Sequence, residues 1–159
     1  VKRIALCLLA GLILAAGPVL TAGVKPDFSG TWTLNLEKSR LQADFGIRSG
    51  TFTIDHQDPL FHFSRVFVAD DREDGVSYEL TTDGTEKVVK GPGRTTTSRL
   101  YWDGDVLVLD ERTVLADGRA ATNVVRYGLR DGGRTLVAAE KFRGPLRKHD
   151  NLWIADLRD

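Results

Sequence analysis

The feature that most constrains this chain is the dipeptide Asp-Gly. It recurs five times, at Asp74-Gly75, Asp83-Gly84, Asp103-Gly104, Asp117-Gly118 and Asp131-Gly132, each beside short runs rich in β-branched and aromatic residues. Glycine, and to a lesser degree aspartate, tolerates the positive φ that tight hairpin turns demand. Successive pairs are separated by 9, 20, 14 and 14 residues, the rhythm of an antiparallel meander. Helical periodicity is nearly absent; Leu36 to Phe45 has room for one short helical turn. Strands are expected at roughly 29–36, 51–56, 60–68, 76–82, 86–90, 94–102, 105–114, 119–130, 134–142 and 151–157. The intervening stretch 37–50 reads as a flap over one end.

Register follows from keeping apolar residues on one face, since side chains alternate along a strand. A two-residue loop at Asp103-Gly104 sets Trp102 opposite Asp105 and Leu100 opposite Leu107. At the next turn a two-residue loop would place Leu109 against Arg126. A three-residue loop, Ala116-Asp117-Gly118, instead pairs Leu109 with Val125 and Leu107 with Tyr127. The same treatment of Asp131-Gly132-Gly133 pairs Tyr127 with Val137 and Val125 with Ala139. One face then carries Leu100, Trp102, Leu107, Leu109, Val125, Tyr127, Val137 and Ala139. The other carries Arg99, Asp110, Arg126 and Glu140, read as a solvated ladder of cross-strand charges.

A helix-poor sheet with one apolar face must bury that face against itself. The expected architecture is therefore all-β: an antiparallel up-and-down meander of 8–10 strands closing into a barrel, which removes exposed edges.

Not all 159 residues are assigned to that barrel. Lys2 and Arg3 precede an uncharged apolar run from Ile4, broken at Gly17-Pro18 and followed by the small residues Thr21-Ala22-Gly23. This is the three-part pattern of a secretory signal peptide. Residues 1–23 are accordingly read as a leader and 24–159 as a single barrel domain, exported to the periplasm or the medium. No stable membrane span is expected after cleavage; a retained anchor is the alternative. The single cysteine, Cys7, lies near the start of the apolar run, which argues against lipid attachment at its end. Removal of the leader takes Cys7, Lys2 and Arg3, leaving 20 basic and 22 acidic residues and, with Met at 0, no sulfur. An intrachain disulfide and a cysteine zinc site are thereby excluded. The even balance of charge argues against nucleic acid as a partner.

The stretch Asp27-Phe28-Ser29-Gly30-Thr31-Trp32-Thr33-Leu34-Asn35, continuing to Lys38-Ser39, places Gly-x-Trp on the first strand. It resembles the opening of lipocalin-like (calycin) proteins secreted by bacteria; the rest of the exported chain resembles them more loosely, through its hairpins. The resemblance implies a lipocalin-like barrel in which Trp32 plugs the closed end and Gly30 lets the backbone pass closely. It also implies a basic residue from the last strand over the indole, with Arg158 the first candidate and Arg147 the second. Independently, Trp32, Leu34 and Leu36 alternate with Thr31, Thr33 and Asn35, so this strand has one apolar face.

Residues with catalytic chemistry are sparse. His56 and His62 flank a turn at Asp58-Pro59 beside Asp55, a set that can hold a transition metal but without a recognised ligand spacing; no metal and no cofactor are assigned. Asp70-Asp71-Arg72-Glu73-Asp74 lacks the alternating pattern of a calcium loop and reads as a hairpin tip. Gly91-Pro92-Gly93-Arg94 lacks the Lys-Ser/Thr ending of a phosphate loop and reads as a turn. There is no nucleophile-elbow motif, and no catalytic residues are assigned. The favoured function is binding of a small, largely apolar molecule in the cup, lined by Phe52, Ile54, Tyr78, Leu100, Trp102 and Tyr127. The alternative is a non-catalytic interaction module with a filled core and an apolar outer patch around Phe61, Phe63 and Phe67.

Overall fold

The computed structural model describes residues 24–42 and 46–158. The expected leader, 1–23, lies outside the described residues, as do 43–45 within the expected flap. Ten strands follow one another: β1 (Gly30–Leu34), β2 (Ile47–Gln57), β3 (Leu60–Ala69), β4 (Glu73–Thr81), β5 (Asp83–Gly91), β6 (Arg94–Asp103), β7 (Val106–Leu115), β8 (Ala120–Arg130), β9 (Thr135–Arg143) and β10 (Lys148–Leu157). They form one antiparallel sheet in the order β4-β3-β2-β1-β10-β9-β8-β7-β6-β5. The first and last strands are laddered, Trp32 opposite Leu157, so the meander rolls into a nearly closed barrel. Its two edges, β4 and β5, are consecutive in sequence and joined by Thr82 alone. Across that seam Lys87 Nζ donates to the Glu79 carbonyl at 2.9 Å.

The turns follow the dipeptide chemistry where strand lengths allow it. Leu115 N–H bonds the Arg119 carbonyl at 2.8 Å, which closes the three-residue loop 116–118 as expected, and Gly118 takes φ +83°. The turn after β6 is one residue later than expected: Asp103 pairs with Val106, so Gly104-Asp105 forms the turn and Trp102 lies opposite Leu107. Asp74-Gly75 is not a turn but lies inside β4. The reversal comes earlier, where Ala69 N–H bonds the Arg72 carbonyl.

The connection from β8 to β9 corrects a face assignment. It holds four residues, with a short 3-10 turn over Asp131–Gly133 and Arg130 opposite Thr135. One residue more than expected moves every later side chain to the other face. Tyr127 therefore faces Ala138, and Val125 faces Glu140. Leu136, Ala138 and Glu140 point inward, whereas Val137 and Ala139 point outward. The outer charges pair as Arg99–Asp110 at 3.3 Å and Arg126–Asp103 at 2.7 Å; Glu140 is not among them.

The core fills the lower half of the barrel. Phe28, Trp32, Phe61, Leu100 and Leu107 are almost completely buried, and the Trp32 indole donates to the Phe28 carbonyl at 3.1 Å. Trp32 thus occupies the closed end. Arg158 does not cover it. Leu157 is the direct partner of Trp32 and shares its inward face, so Arg158, the next residue, points out and is exposed. Its backbone N–H meets the Thr31 carbonyl at 2.8 Å. Arg147 lies near the other end, over the Phe142 ring. Gly30 adopts φ +141°, which favours glycine, and a Cβ there would stand 2.7 Å from Leu157 Cδ1, so the leucine tip would have to move. Phe61, Phe63 and Phe67 are buried inside, which overturns the expected outer patch. Leu60 and Val68, on the opposite face of β3, are the exposed apolar residues.

The stretch after β1 makes a single turn, with Ser39 N–H on the Asn35 carbonyl at 3.1 Å. It then runs along β10, bridging Arg40 to Leu152. This segment occupies the side of β10 that the short β1 leaves uncovered.

Candidate functional site

Above the packed floor the inward-pointing residues no longer fill the barrel. A chamber of about 250 Å³ is lined by Phe52, Phe63, Phe67, Tyr78, Tyr127 and Trp153 among others. It shares Arg65, Phe67, Asn123, Glu140 and Trp153 with a mouth of about 410 Å³. The two form one depression at the end opposite Trp32.

The chamber is aromatic because five strands, β2, β3, β4, β8 and β10, turn rings inward around it. Phe63 stacks on Tyr78 with centroids 4.8 Å apart, Phe67 stacks on Trp153 at 5.0 Å, and Phe52 meets Phe67 edge-on at 5.6 Å. The hydroxyls of Tyr78 and Tyr127 lie 3.2 Å apart. Burial pushes both phenols above their ordinary pKa, so both are neutral hydrogen-bonding groups at neutral pH.

A polar belt sits above the rings. Extending the inward alternation of β7 past Leu109 reaches Glu111, and extending that of β8 past Val125 reaches Asn123; the two are direct partners. Ser98 Oγ donates to Glu111 Oε1 at 3.0 Å. Glu140 Oε2 accepts from Asn151 Nδ2 and from the Trp153 indole, each at 2.9 Å, and His149 Nε2 lies 3.5 Å away. Asn123 Oδ1 is buried without a hydrogen-bond partner among the described residues. Arg65 pairs with Asp74 at 3.1 Å, and its guanidinium lies 4.3 Å from the centre of the Phe67 ring. At the rim, Arg72 pairs with Asp71 at 3.3 Å, and Arg147 lies over Phe142 at 5.4 Å.

The residues expected to line the cup divide by height. Phe52, Tyr78 and Tyr127 border the chamber. Ile54 and Leu100 are packed in the core. Trp102, paired with Leu107, sits at the closed end, stacked on Phe28 and donating its indole N–H to Asp58 at 2.9 Å. His56 and His62 are separated by the sheet. His56 is buried inside near Asp58, whereas His62 points outward beside Glu79.

Arg65, Glu111, Asn123 and Trp153 lie outside the lining expected from the sequence, although the alternation along β7 and β8 leads directly to Glu111 and Asn123. Glu140 faces inward, opposite to expectation, because the preceding loop is one residue longer.

No protein-family model matches the chain, and no curated protein matches it. Among solved structures, the chain is similar to secretory abundant heat soluble protein 4 of Ramazzottius varieornatus, at 11% identity and a TM-score of 0.47 over 82% of this chain and 95% of that one. It is similar to apo lipid binding protein 8 of Caenorhabditis elegans at 12% identity and a TM-score of 0.48, over 79% and 93% of the two chains. It is also similar to zebrafish ileal bile acid-binding protein complexed with cholic acid, at 10% identity and a TM-score of 0.47, over 82% and 98%.

Proposed function

We propose that this chain is a small-molecule-binding barrel of lipocalin-like type, which takes the apolar body of an amphipathic ligand into the aromatic chamber and holds its polar part at the belt. The observation that carries this reading is the unfilled, ring-lined space above a fully packed floor, open through a polar mouth. Ligand sites are typically apolar concavities with a few convergent polar groups, commonly about 300–1,000 Å³ in volume. Chamber and mouth together offer a space of that order. A barrel serving only as a rigid interaction module gains nothing from such a space, because voids weaken packing.

Native mass spectrometry of the protein purified from its own source tests the reading, with a retained small molecule as the expected result. Val125 borders the chamber, and Val125→Trp fills it from the wall. The variant is expected to keep the β-sheet circular dichroism spectrum and lose the adduct. An adduct that persists in Val125→Trp would place the ligand elsewhere.

We further propose that the chain is exported, on the strength of the charged start, apolar run and small-residue site within residues 1–23. Amino-terminal sequencing of protein recovered from the cell envelope or medium is expected to begin near Val24.

A further inference from the structure

The belt can discriminate among ligands by charge, and its composition is lopsided. The inner chamber is bordered by two carboxylates, Glu111 and Glu140, and one guanidinium, Arg65. The guanidinium is already engaged, by Asp74 at 3.1 Å and by the face of Phe67. The arginines at the mouth are engaged as well, Arg72 by Asp71 and Arg147 by the Phe142 ring. The carboxylates have partners too, Ser98 on Glu111, and Asn151 and the Trp153 indole on Glu140 with His149 at 3.5 Å. The hydroxyl, amide and indole donors are neutral, however, whereas Arg65 is paired with a carboxylate. An anion entering the chamber would therefore meet two like charges and a cation whose charge is already matched. A cation would meet the two carboxylates in a chamber bordered by Phe52, Phe63, Tyr78, Tyr127 and Trp153, and aromatic rings attract positive charge.

A second observation points the same way without depending on charge. Asn123 Oδ1 is buried with no hydrogen-bond partner among the described residues, and Asn123 borders both the chamber and the mouth. Buried acceptors are nearly always satisfied, and an acceptor can be satisfied only by a donor. Glu111, its direct cross-strand partner, is also an acceptor when ionised. A plain hydrocarbon placed here would leave Asn123 Oδ1 unsatisfied and would desolvate Glu111, which keeps its bond from Ser98.

We infer that the ligand of this cup is a protonated amine with a compact apolar or aromatic body, its ammonium seated between Glu111 and Asn123 and its body among the chamber rings. This rests on the proposal that the cup binds a small molecule, and it adds the chemical class.

Three probes of nearly the same shape separate the two claims: naphthylmethylamine, naphthalenemethanol and naphthoate, titrated at neutral pH by calorimetry or by Trp fluorescence. The amine is expected to bind about tenfold or more tightly than the acid, with the alcohol between them. Glu111→Gln is expected to bring amine and alcohol to about equal affinity, because one acceptor charge is gone while the shape is kept. Asn123→Asp, which adds a charge beside Glu111, is expected to widen the preference for the amine. If naphthoate binds as tightly as the amine, or if both variants leave the preference unchanged, the inference is overturned while ligand binding stands. If none of the three probes binds, the inference is overturned, while the broader reading is decided by the retained adduct in native mass spectrometry.

Discussion

The hydroxyls of Tyr78 and Tyr127 meet at 3.2 Å inside the barrel, one carried by the edge strand β4 and the other by β8. The contact joins walls that no ladder joins directly. Removing one hydroxyl leaves its partner buried without a bond, at a cost of about 1–3 kcal/mol, whereas removing both can be nearly neutral. Tyr127→Phe is thus expected to destabilise the fold by that amount in urea denaturation. The double variant with Tyr78→Phe is expected to lose less than the sum of the two singles. Strict additivity would show that the hydroxyls do not bond.

The plug and its neighbour on the last strand should behave oppositely. Trp32 is almost completely buried, and truncating a large core aromatic costs about 3–5 kcal/mol. Arg158 lies on the solvent side, where substitutions stay within about 0.5 kcal/mol. Thermal or urea unfolding of Trp32→Ala and Arg158→Ala checks the contrast, and a large loss in Arg158→Ala would restore it as a packing residue over the indole.

Gly30→Ala faces two obstacles, a φ of +141° and the Leu157 methyl 2.7 Å from the new Cβ. Backbone strain of this kind costs about 1–3 kcal/mol. Trimming the neighbour in Gly30→Ala/Leu157→Ala relieves the steric part alone. The coupling measured in a double-mutant cycle is therefore expected to be favourable, with a residual loss from the backbone.

Acid should loosen the closed end. Hydrogen bonds from Thr82 and from the Trp102 indole hold the Asp58 carboxyl below the ordinary aspartate pKa of 3.8. A carboxylate whose pKa is lower folded than unfolded contributes its stability above the unfolded value and loses it as pH falls through the folded one. Asp58→Asn, which cannot ionise, is expected to flatten the acid limb of the stability curve below about pH 4 relative to the parent. The comparison is made by denaturant midpoints across that range.

Much of the architecture is legible in the sequence because it depends on local chemistry. Asp117-Gly118 demands a left-handed residue and forms the loop that the apolar faces of β7 and β8 require. The alternation around Trp32 likewise locates the first strand and its buried face. What is not legible is set by longer strands or by one extra residue. Asp74-Gly75 has the composition of a turn, yet it is absorbed into β4, because the chain already reverses at Asp70–Arg72 and Asp74 is held there by Arg65. Arg134 extends the next connection, and that one residue turns Glu140 from the outer wall into the belt. The depth of the chamber is a matter of volume, not pattern. Ile54 and Leu100 carry the same inward signal as Phe52 and Tyr127, but they lie among larger neighbours that leave no space beside them.

The seam between β4 and β5 falls where the chain itself continues through Thr82, while the strands nearest the two termini, β1 and β10, are stitched together. Order along the polypeptide and order around the wall are therefore one and the same circuit. A break between Thr82 and Asp83 would leave the Thr82 N–H on the Pro59 carbonyl and would keep β1–β4 and β5–β10 each in unbroken succession. The ladder of β1 with β10, continued by the Arg40–Leu152 bridge, is then the backbone pairing that joins the two halves.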